Sequence, residues 1–231
     1  MWQQELKTLY SLNRKQVAGL EKLLELLKAS KDRGLTAVTG DLNIVHFHFF
    51  DSLCLLGIDE LASASSVIDV GSGAGFPGLP LALSRPDMHF TLLDSSSKKC
   101  DFLRMAVATL ELQNVDVVNA RSEEAVSTGL RDNFDAALAR ALGPLATLIE
   151  YTLPFVKAGG FAVLQRGADR PGDEETAAKV AARLNGSLSR VLPVFPYPEA
   201  KNLNVWVFSK TSMTPTRFPR KPGLARKRPL S

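Results

Sequence analysis

Residues Val67-Ile68-Asp69-Val70-Gly71-Ser72-Gly73-Ala74-Gly75-Phe76-Pro77-Gly78 hold the types and spacing best suited to chemistry. The β-branched Val67, Ile68 and Val70 suit a short buried strand. The glycines permit positive φ and let a ligand approach the backbone closely. Pro77 fits the first turn of a helix, where its missing N–H has no intrahelical partner. Strand, glycine turn and helix start together make a nucleotide-type cofactor loop, with the positive end of the helix facing the ligand.

Two cofactor classes share this pattern. Gly73-Ala74-Gly75-Phe76-Pro77-Gly78 satisfies the G-x-G-x-x-G dinucleotide pattern. Asp69-Val70-Gly71-Ser72-Gly73-Ala74-Gly75 satisfies an acid-x-G-x-G-x-G pattern that resembles the first motif of S-adenosylmethionine (AdoMet) methyltransferases. Both require an acid at the end of the next strand to bind a ribose, and Asp94 closes Thr91-Leu92-Leu93-Asp94. Asp69 tilts the choice, because an acid beside a pyrophosphate is repulsive whereas AdoMet is cationic at its sulfur and amino group. Ser122-Glu123-Glu124, after the third strand, stands where that fold holds adenine; its structural alternative is a solvated helix start capped by Ser122. An NAD-dependent oxidoreductase is the competing enzyme, and a non-catalytic, AdoMet-responsive RNA-binding protein is the third reading.

The elements that position these residues follow from periodicity. Residues 1–30 read as one amphipathic helix, with Leu6, Leu9, Val17, Leu20, Leu24 and Leu27 near three- and four-residue spacing. Residues 31–43 read as a polar loop and 44–56 as a second, well-buried helix in which Asp51 and Ser52 need partners. His46 and His48, two apart, point to different sides of that helix, so no metal site is expected. From 66 onward strands at 66–70, 89–94, 115–119, 134–139 and 161–165 alternate with helices, which predicts βαβ units and a parallel sheet. A helix from Asp169 or Asp173 to about 184 follows. The short link between strands near 187–194 and 203–209 predicts an antiparallel hairpin. The domain expectation is a helical extension over 1–57, a cofactor-binding domain over 58–210 and a tail over 211–231.

The 231 residues are 45% hydrophobic and 23% charged, ordinary for a globular chain. No apolar run reaches a membrane span, and Cys54 and Cys100 form no metal or redox motif, so a cytoplasmic protein is expected. The net charge of +4 is uneven. Residues 210–231 hold seven Lys or Arg and no acid, leaving 21 basic and 24 acidic side chains in the rest. A polyanionic partner is implied for this end. Four prolines and no apolar period in 211–231 predict an extended or mobile tail.

The loop continued through Leu79-Pro80-Leu81-Ala82, with Leu92-Leu93-Asp94-Ser95 and Lys98-Lys99-x-x-Phe102-Leu103, closely resembles the GidB/RsmG family. His48-Phe49-Phe50-Asp51-Ser52-Leu53, Ala139-Arg140-Ala141 and the tail from Arg217-Phe218-Pro219-Arg220-Lys221-Pro222-Gly223 to Lys227-Arg228-Pro229-Leu230 carry the same resemblance. Two segments depart from the family pattern: Gly40-Asp41-Leu42-Asn43-Ile44 is compressed, and Leu164-Gln165-Arg166-Gly167 replaces Leu-Lys-Gly.

The resemblance implies a class I AdoMet methyltransferase fold, Rossmann-like and α/β, with a doubly wound, mostly parallel seven-stranded sheet. It implies methylation of guanine N7 in 16S ribosomal RNA, with that RNA or the small subunit as partner; a monomer is expected separately, no feature of the sequence speaking to oligomeric state. Cofactor contacts are implied at Gly71, Gly73, Phe76, Asp94, Ser122, Glu123 and Arg140, and the acid-and-glycine pattern itself adds Asp69 and Gly75. Arg140 and Arg166, ending neighbouring strands, are candidates to orient the guanine, since Arg reads its O6/N7 edge. Arg217, Arg220, Lys221, Arg226, Lys227 and Arg228 are the candidate phosphate contacts.

Overall fold

The structure is a computed structural model that describes residues 2–140, 143–167, 169–201 and 203–231. In chain order the elements are α1 (Trp2–Leu9), α2 (Arg14–Ala29), α3 (Asp41–Ile44), α4 (Asp51–Leu53), α5 (Asp59–Ala62), β1 (Ser66–Val70), α6 (Gly78–Ser84), β2 (His89–Asp94), α7 (Ser97–Thr109) and β3 (Val115–Asn119). Then come α8 (Ser122–Ala125), β4 (Phe134–Arg140), α9 (Leu145–Thr152), β5 (Val156–Arg166), α10 (Asp173–Arg183), β6 (Gly186–Val194), β7 (Leu203–Lys210) and α11 (Leu224–Lys227).

The seven strands form one sheet in the order β3-β2-β1-β4-β5-β7-β6. The first five run parallel, and β7 is antiparallel to both β5 and β6. The strand order reverses between β1 and β4, so the crevice at their carboxyl ends is the site such folds offer to ligands. Alternate residues feed two cores. Val67, Phe90, Leu92, Leu138 and Val163 pack with α1, α2, the 44–50 segment, α6 and α7. Ile68, Leu93, Ala137, Leu164, Trp206 and Phe208 pack with α9, α10 and the tail. Both faces are covered, which is why these strands are apolar on both sides.

The N-terminal helix expected over 1–30 is two helices. Ser11 adopts φ +54°, and Asn13 begins a new helix with a capping box. Gln16 N–H donates to Asn13 Oδ1 at 3.0 Å and Asn13 N–H to Gln16 Oε1 at 2.8 Å. The leucine spacing ran across this break because Leu9, which fits the pattern, is exposed. The helix expected over 44–56 is continuous but not regular. It passes from α3 through a π-helical stretch, Val45–Phe50, into α4 and a 3₁₀ turn, Cys54–Gly57. Strand β5 begins five residues earlier than expected, because a register shift opposite Phe134 and Ala136 breaks its alternation.

The tail is packed rather than extended or mobile. Phe218, Ala225 and Leu230 are buried against the α9 face. The Arg131 guanidinium donates to the carbonyls of Phe218, Thr214 and Pro215 at 2.7, 2.8 and 3.0 Å. Fully buried Glu150 accepts from Arg220 Nε at 2.8 Å, Arg220 Nη2 at 2.6 Å and the Arg220 backbone N–H at 3.1 Å. Lys210 is buried as well. Its ammonium donates to the carbonyls of Leu153 and Leu184 and to Thr214 Oγ1, and burial lowers its pKa to about 8 despite Asp132 beside it.

Glu150→Ala leaves the Arg220 guanidinium without its carboxylate and opens the tail. The variant is expected to lose about 2–4 kcal/mol of stability. Urea unfolding read by tryptophan fluorescence checks this, since Trp206 lies in the same core.

Candidate active site

The glycine loop is braced from beneath. Gly71 and Ser72 N–H donate to Leu93 O at 2.7 and 3.0 Å, and Gly75 and Phe76 N–H donate to Ser72 O at 2.9 Å. Asp69, fully buried, accepts through Oδ2 from Ser72 Oγ at 2.6 Å and from Gly78 N–H at 2.9 Å. Its Oδ1 is buried and accepts no hydrogen bond among the described residues. Burial pushes this carboxyl up to about 6, against the pull of the Ser72 and Gly78 bonds. One oxygen of Asp69 therefore shapes the loop, and the other is spare.

Two glycines have distinct jobs. Gly75 sits at φ +96°, where an added Cβ would lie 2.3 Å from Leu79 Cδ1, so it allows the helix to close on the loop. Gly73 sits at φ +63°, with only Gly71 O, at 3.9 Å, near where its Cβ would be, and leaves an open cradle above the strand end. Asp94 stands beside that cradle at the end of β2. It accepts from Gly73 N–H and from Ser96 N–H, both at 2.9 Å, which fixes its carboxylate with lone pairs to spare.

Ser122 and Glu123 start α8, next to the end of β3. Neither is the solvated helix start of the structural alternative. Arg121, not Ser122, occupies the cap position; the Ser122 hydroxyl donates to Tyr151 O at 2.9 Å. Glu123 is buried and accepts from the tail's Gly223 N–H at 2.7 Å. The tail is thus bonded directly to a candidate cofactor residue, a link with no trace in local sequence.

Arg140 closes the other side. Its Nη1 donates to Phe47 O at 2.7 Å and its Nη2 to His48 Nδ1 at 3.0 Å. Asp51 Oδ2 lies 3.8 Å from Nη1, and the guanidinium carbon is 5.5 Å from the centre of the Phe76 ring. Arginine only donates, so His48 Nδ1 accepts and its Nε2–H donates to Thr36 Oγ1 at 2.8 Å. His48 also stacks on Phe76, with ring centres 4.3 Å apart and planes 13° apart. Burial first, and Arg140 second, lower its pKa to about 4, keeping the ring neutral. Burial pushes Asp51 up to about 7, with Arg140 pulling it down.

A cleft of about 560 Å³ opens from this junction, bordered by Phe47, His48, Asp51, Arg140, Gln165 and Arg166. The two candidate arginines both border it, but leave the sheet on opposite faces. Arg140 pairs with Gln165 across β4 and β5, so Arg166 is one residue out of phase and turns to the opposite face. There it meets Asp173 at 3.0 Å and lies 5.9 Å from the Trp206 ring centre. The registers of β4 and β5, which decide this, are not readable from either strand alone. His48 and Gln165 also border the cleft and were not among the expected site residues, whereas Asp51, expected to need a partner in its apolar helix, lies beside Arg140. The signal available was a neutral-prone histidine and a carboxylate inside an apolar helix.

Of the basic tail residues, Arg220 is committed to Glu150, while Arg217, Lys221, Arg226, Lys227 and Arg228 are exposed. Among the described residues, no group of three His, Cys, Asp or Glu side chains is placed to hold a metal ion.

Sheet order, switch point and glycine loop define a Rossmann-like α/β fold of the class I methyltransferase type. An O-methyltransferase from Bacillus cereus, solved in complex with SAH, shares the fold at a TM-score of 0.59 and 14% identity, covering 90% of this chain and 96% of that one. Residues 16–195 match the family model described as GidB, rRNA small subunit methyltransferase G. Ribosomal RNA small subunit methyltransferase G of Leuconostoc mesenteroides is 36% identical over 225 residues, 96% of this chain and 94% of the relative. The protein of that name from Clostridium perfringens is 38% identical over 208 residues, 89% and 87% of the two chains. The chain belongs to the GidB family of small-subunit ribosomal RNA methyltransferases. Membership removes the oxidoreductase reading and the non-catalytic one.

His48 titrates well below its ordinary 6.5, so the folded protein binds fewer protons there than the unfolded chain. The stability this contributes is present above pH 6.5 and lost as the pH falls towards 4. Asp51 and Asp69, raised on folding, work in the opposite sense and are common to both proteins in a comparison with His48→Gln. The stability advantage of the wild type over this variant should shrink by about 2–3 kcal/mol between pH 7 and pH 4, measured by urea unfolding at each pH.

Proposed function

We propose that the protein transfers the methyl group of AdoMet to N7 of a guanine in 16S ribosomal RNA. The observation that carries this is the junction of loop and cleft: Phe76 of the glycine loop is stacked on His48 and overhung by Arg140, and both border the cleft. A cofactor on the loop and a base in the cleft would meet there.

The residues present fit AdoMet. Gly73 leaves the open cradle beside Gly71, Asp94 offers free lone pairs to ribose hydroxyls, and the spare Oδ1 of Asp69 suits a cationic group. Ser122 and Glu123 lie at the next strand end, on the adenine side. Bound AdoMet supplies an electrophilic methyl on a sulfonium. Guanine N7 is an unprotonated lone-pair nucleophile, so no general base is required of the protein. Its work is orientation, worth several powers of ten when reacting atoms are held in line. Arg140, fixed by Phe47 O and His48, holds a cation at the cleft wall that favours an electron-rich base edge. Arg166, paired with Asp173 on the other sheet face, supports that wall rather than touching the base. Coverage of both sheet faces fits a monomer, and a ribosomal substrate fits a cytoplasmic enzyme.

Arg217, Lys221, Arg226, Lys227 and Arg228 would hold RNA phosphates without reading sequence. Transfer of labelled methyl from AdoMet to small-subunit RNA, with the product base mapped, tests the main reading; turnover on a small molecule alone would refute it. Changing those five side chains to Gln should flatten the slope of log K against log salt by about 3–5 for RNA while leaving AdoMet affinity unchanged.

A further inference from the structure

The cleft contains two acceptors that the fold leaves unused. Asp51 Oδ1 and Gln165 Oε1 are buried and accept no hydrogen bond among the described residues. An unpaired buried acceptor is costly, so two beside one cleft point to a ligand that brings donors. Gln165 is held in place, its Nε2 donating to Asp51 O at 2.5 Å, which ties the two residues together.

The order of groups along the sheet is informative. The loop follows β1, Arg140 ends the adjacent β4, and Gln165 lies at the end of β5 beyond it, with Asp51 bonded to it. Passing away from the loop, the residues that border the cleft are therefore a cation and then two side chains with buried, unused acceptors. Guanine presents the matching series around its rim: N7, the O6 acceptor, then the N1–H and N2–H₂ donors. With N7 towards the loop, O6 meets Arg140 and the N1/N2 edge meets Asp51 and Gln165. Adenine also has an N7, but its unprotonated N1 would turn a lone pair on the carboxylate. Resting on the methyltransferase reading above, we propose that Asp51, supported by Gln165, selects guanine by accepting hydrogen bonds from N1–H and the N2 amino group. The upward shift of the Asp51 carboxyl by burial agrees with an acceptor awaiting donors that would hold it ionised. The exposed Phe47 at the rim offers an aromatic face for an unstacked base.

The test uses full-length protein and small-subunit RNA carrying guanine or inosine, which lacks the N2 amino group, at the mapped position. Wild type should prefer guanine over inosine by about 10- to 100-fold in kcat/KM. In Asp51→Asn the preference should fall to within about threefold, with AdoMet affinity within about twofold of wild type. A residue that merely steadied Arg140 would slow both substrates alike; a variant that is slower but keeps the wild-type preference overturns the assignment. So does a wild-type preference near one, a measurement that needs no variant. Transfer without base discrimination would sink this assignment alone, whereas no transfer to any RNA would sink it together with the reading on which it rests.

Discussion

A half-buried arginine is the constraint on which this structure turns. Arg140 ends a central parallel strand, where a cation is costly unless its donors are met. The donors are met by Phe47 O and His48 Nδ1, both from a segment more than ninety residues earlier. That segment is π-helical at this point, an arrangement often found where a helix is adapted to function. The bonds fix the histidine tautomer, the histidine ring stacks on Phe76, and Phe76 belongs to the glycine loop. One guanidinium thereby registers the N-terminal helices, the sheet and the loop against each other. Burial lowers the Arg140 pKa, while Asp51 and Asp69 oppose that shift.

The opposite sheet face is closed by the other end of the chain, using the same physics with the signs exchanged. There a fully buried carboxylate, Glu150, is the group that must be satisfied, and Arg220 of the tail satisfies it with two side-chain donors and its own backbone N–H. The Arg131 fork and the Glu123 bond to Gly223 N–H fix the chain before and after this anchor. A tail that would be extended in isolation thus becomes a rigid support for exposed cations. Its attachment to Glu123 puts the exposed cations of the tail and the crevice at the strand ends on one scaffold.

The chemistry asked of such a site is modest in bonds and demanding in geometry. A nucleophile that is already unprotonated needs no activated side chain, and the titratable groups here are arranged accordingly. His48 is kept neutral and used as an acceptor, and Asp69 gives one oxygen to loop shape. What remains is positioning, and the groups that position are locked by burial and by bonds from distant elements.

Much of this was legible in the chain itself. Alternating β and α periods foretold a mostly parallel sheet, and the short link after 194 foretold the final hairpin, because local pattern and loop length govern both. The spacing of Asp69, the glycines and Asp94 marked the crevice, since the turn and the next strand end are bound by local geometry. Other features lay beyond sequence reasoning. The register of β5 on β4 turned Arg166 away from Arg140 and put Gln165 in its place; a slip of one residue reverses every side chain, and pattern cannot fix it between two strands apolar on both faces. His48 and Asp51 looked like isolated polar groups in an apolar helix until the fold brought Arg140 to them. The tail's composition predicted disorder, and only the buried Glu150, seventy residues away, decided otherwise. The sequence determined the elements and the cofactor loop because these depend on neighbours in the chain. The cleft and the anchored tail were decided by tertiary structure, because burial compels polar groups to find partners wherever the fold provides them.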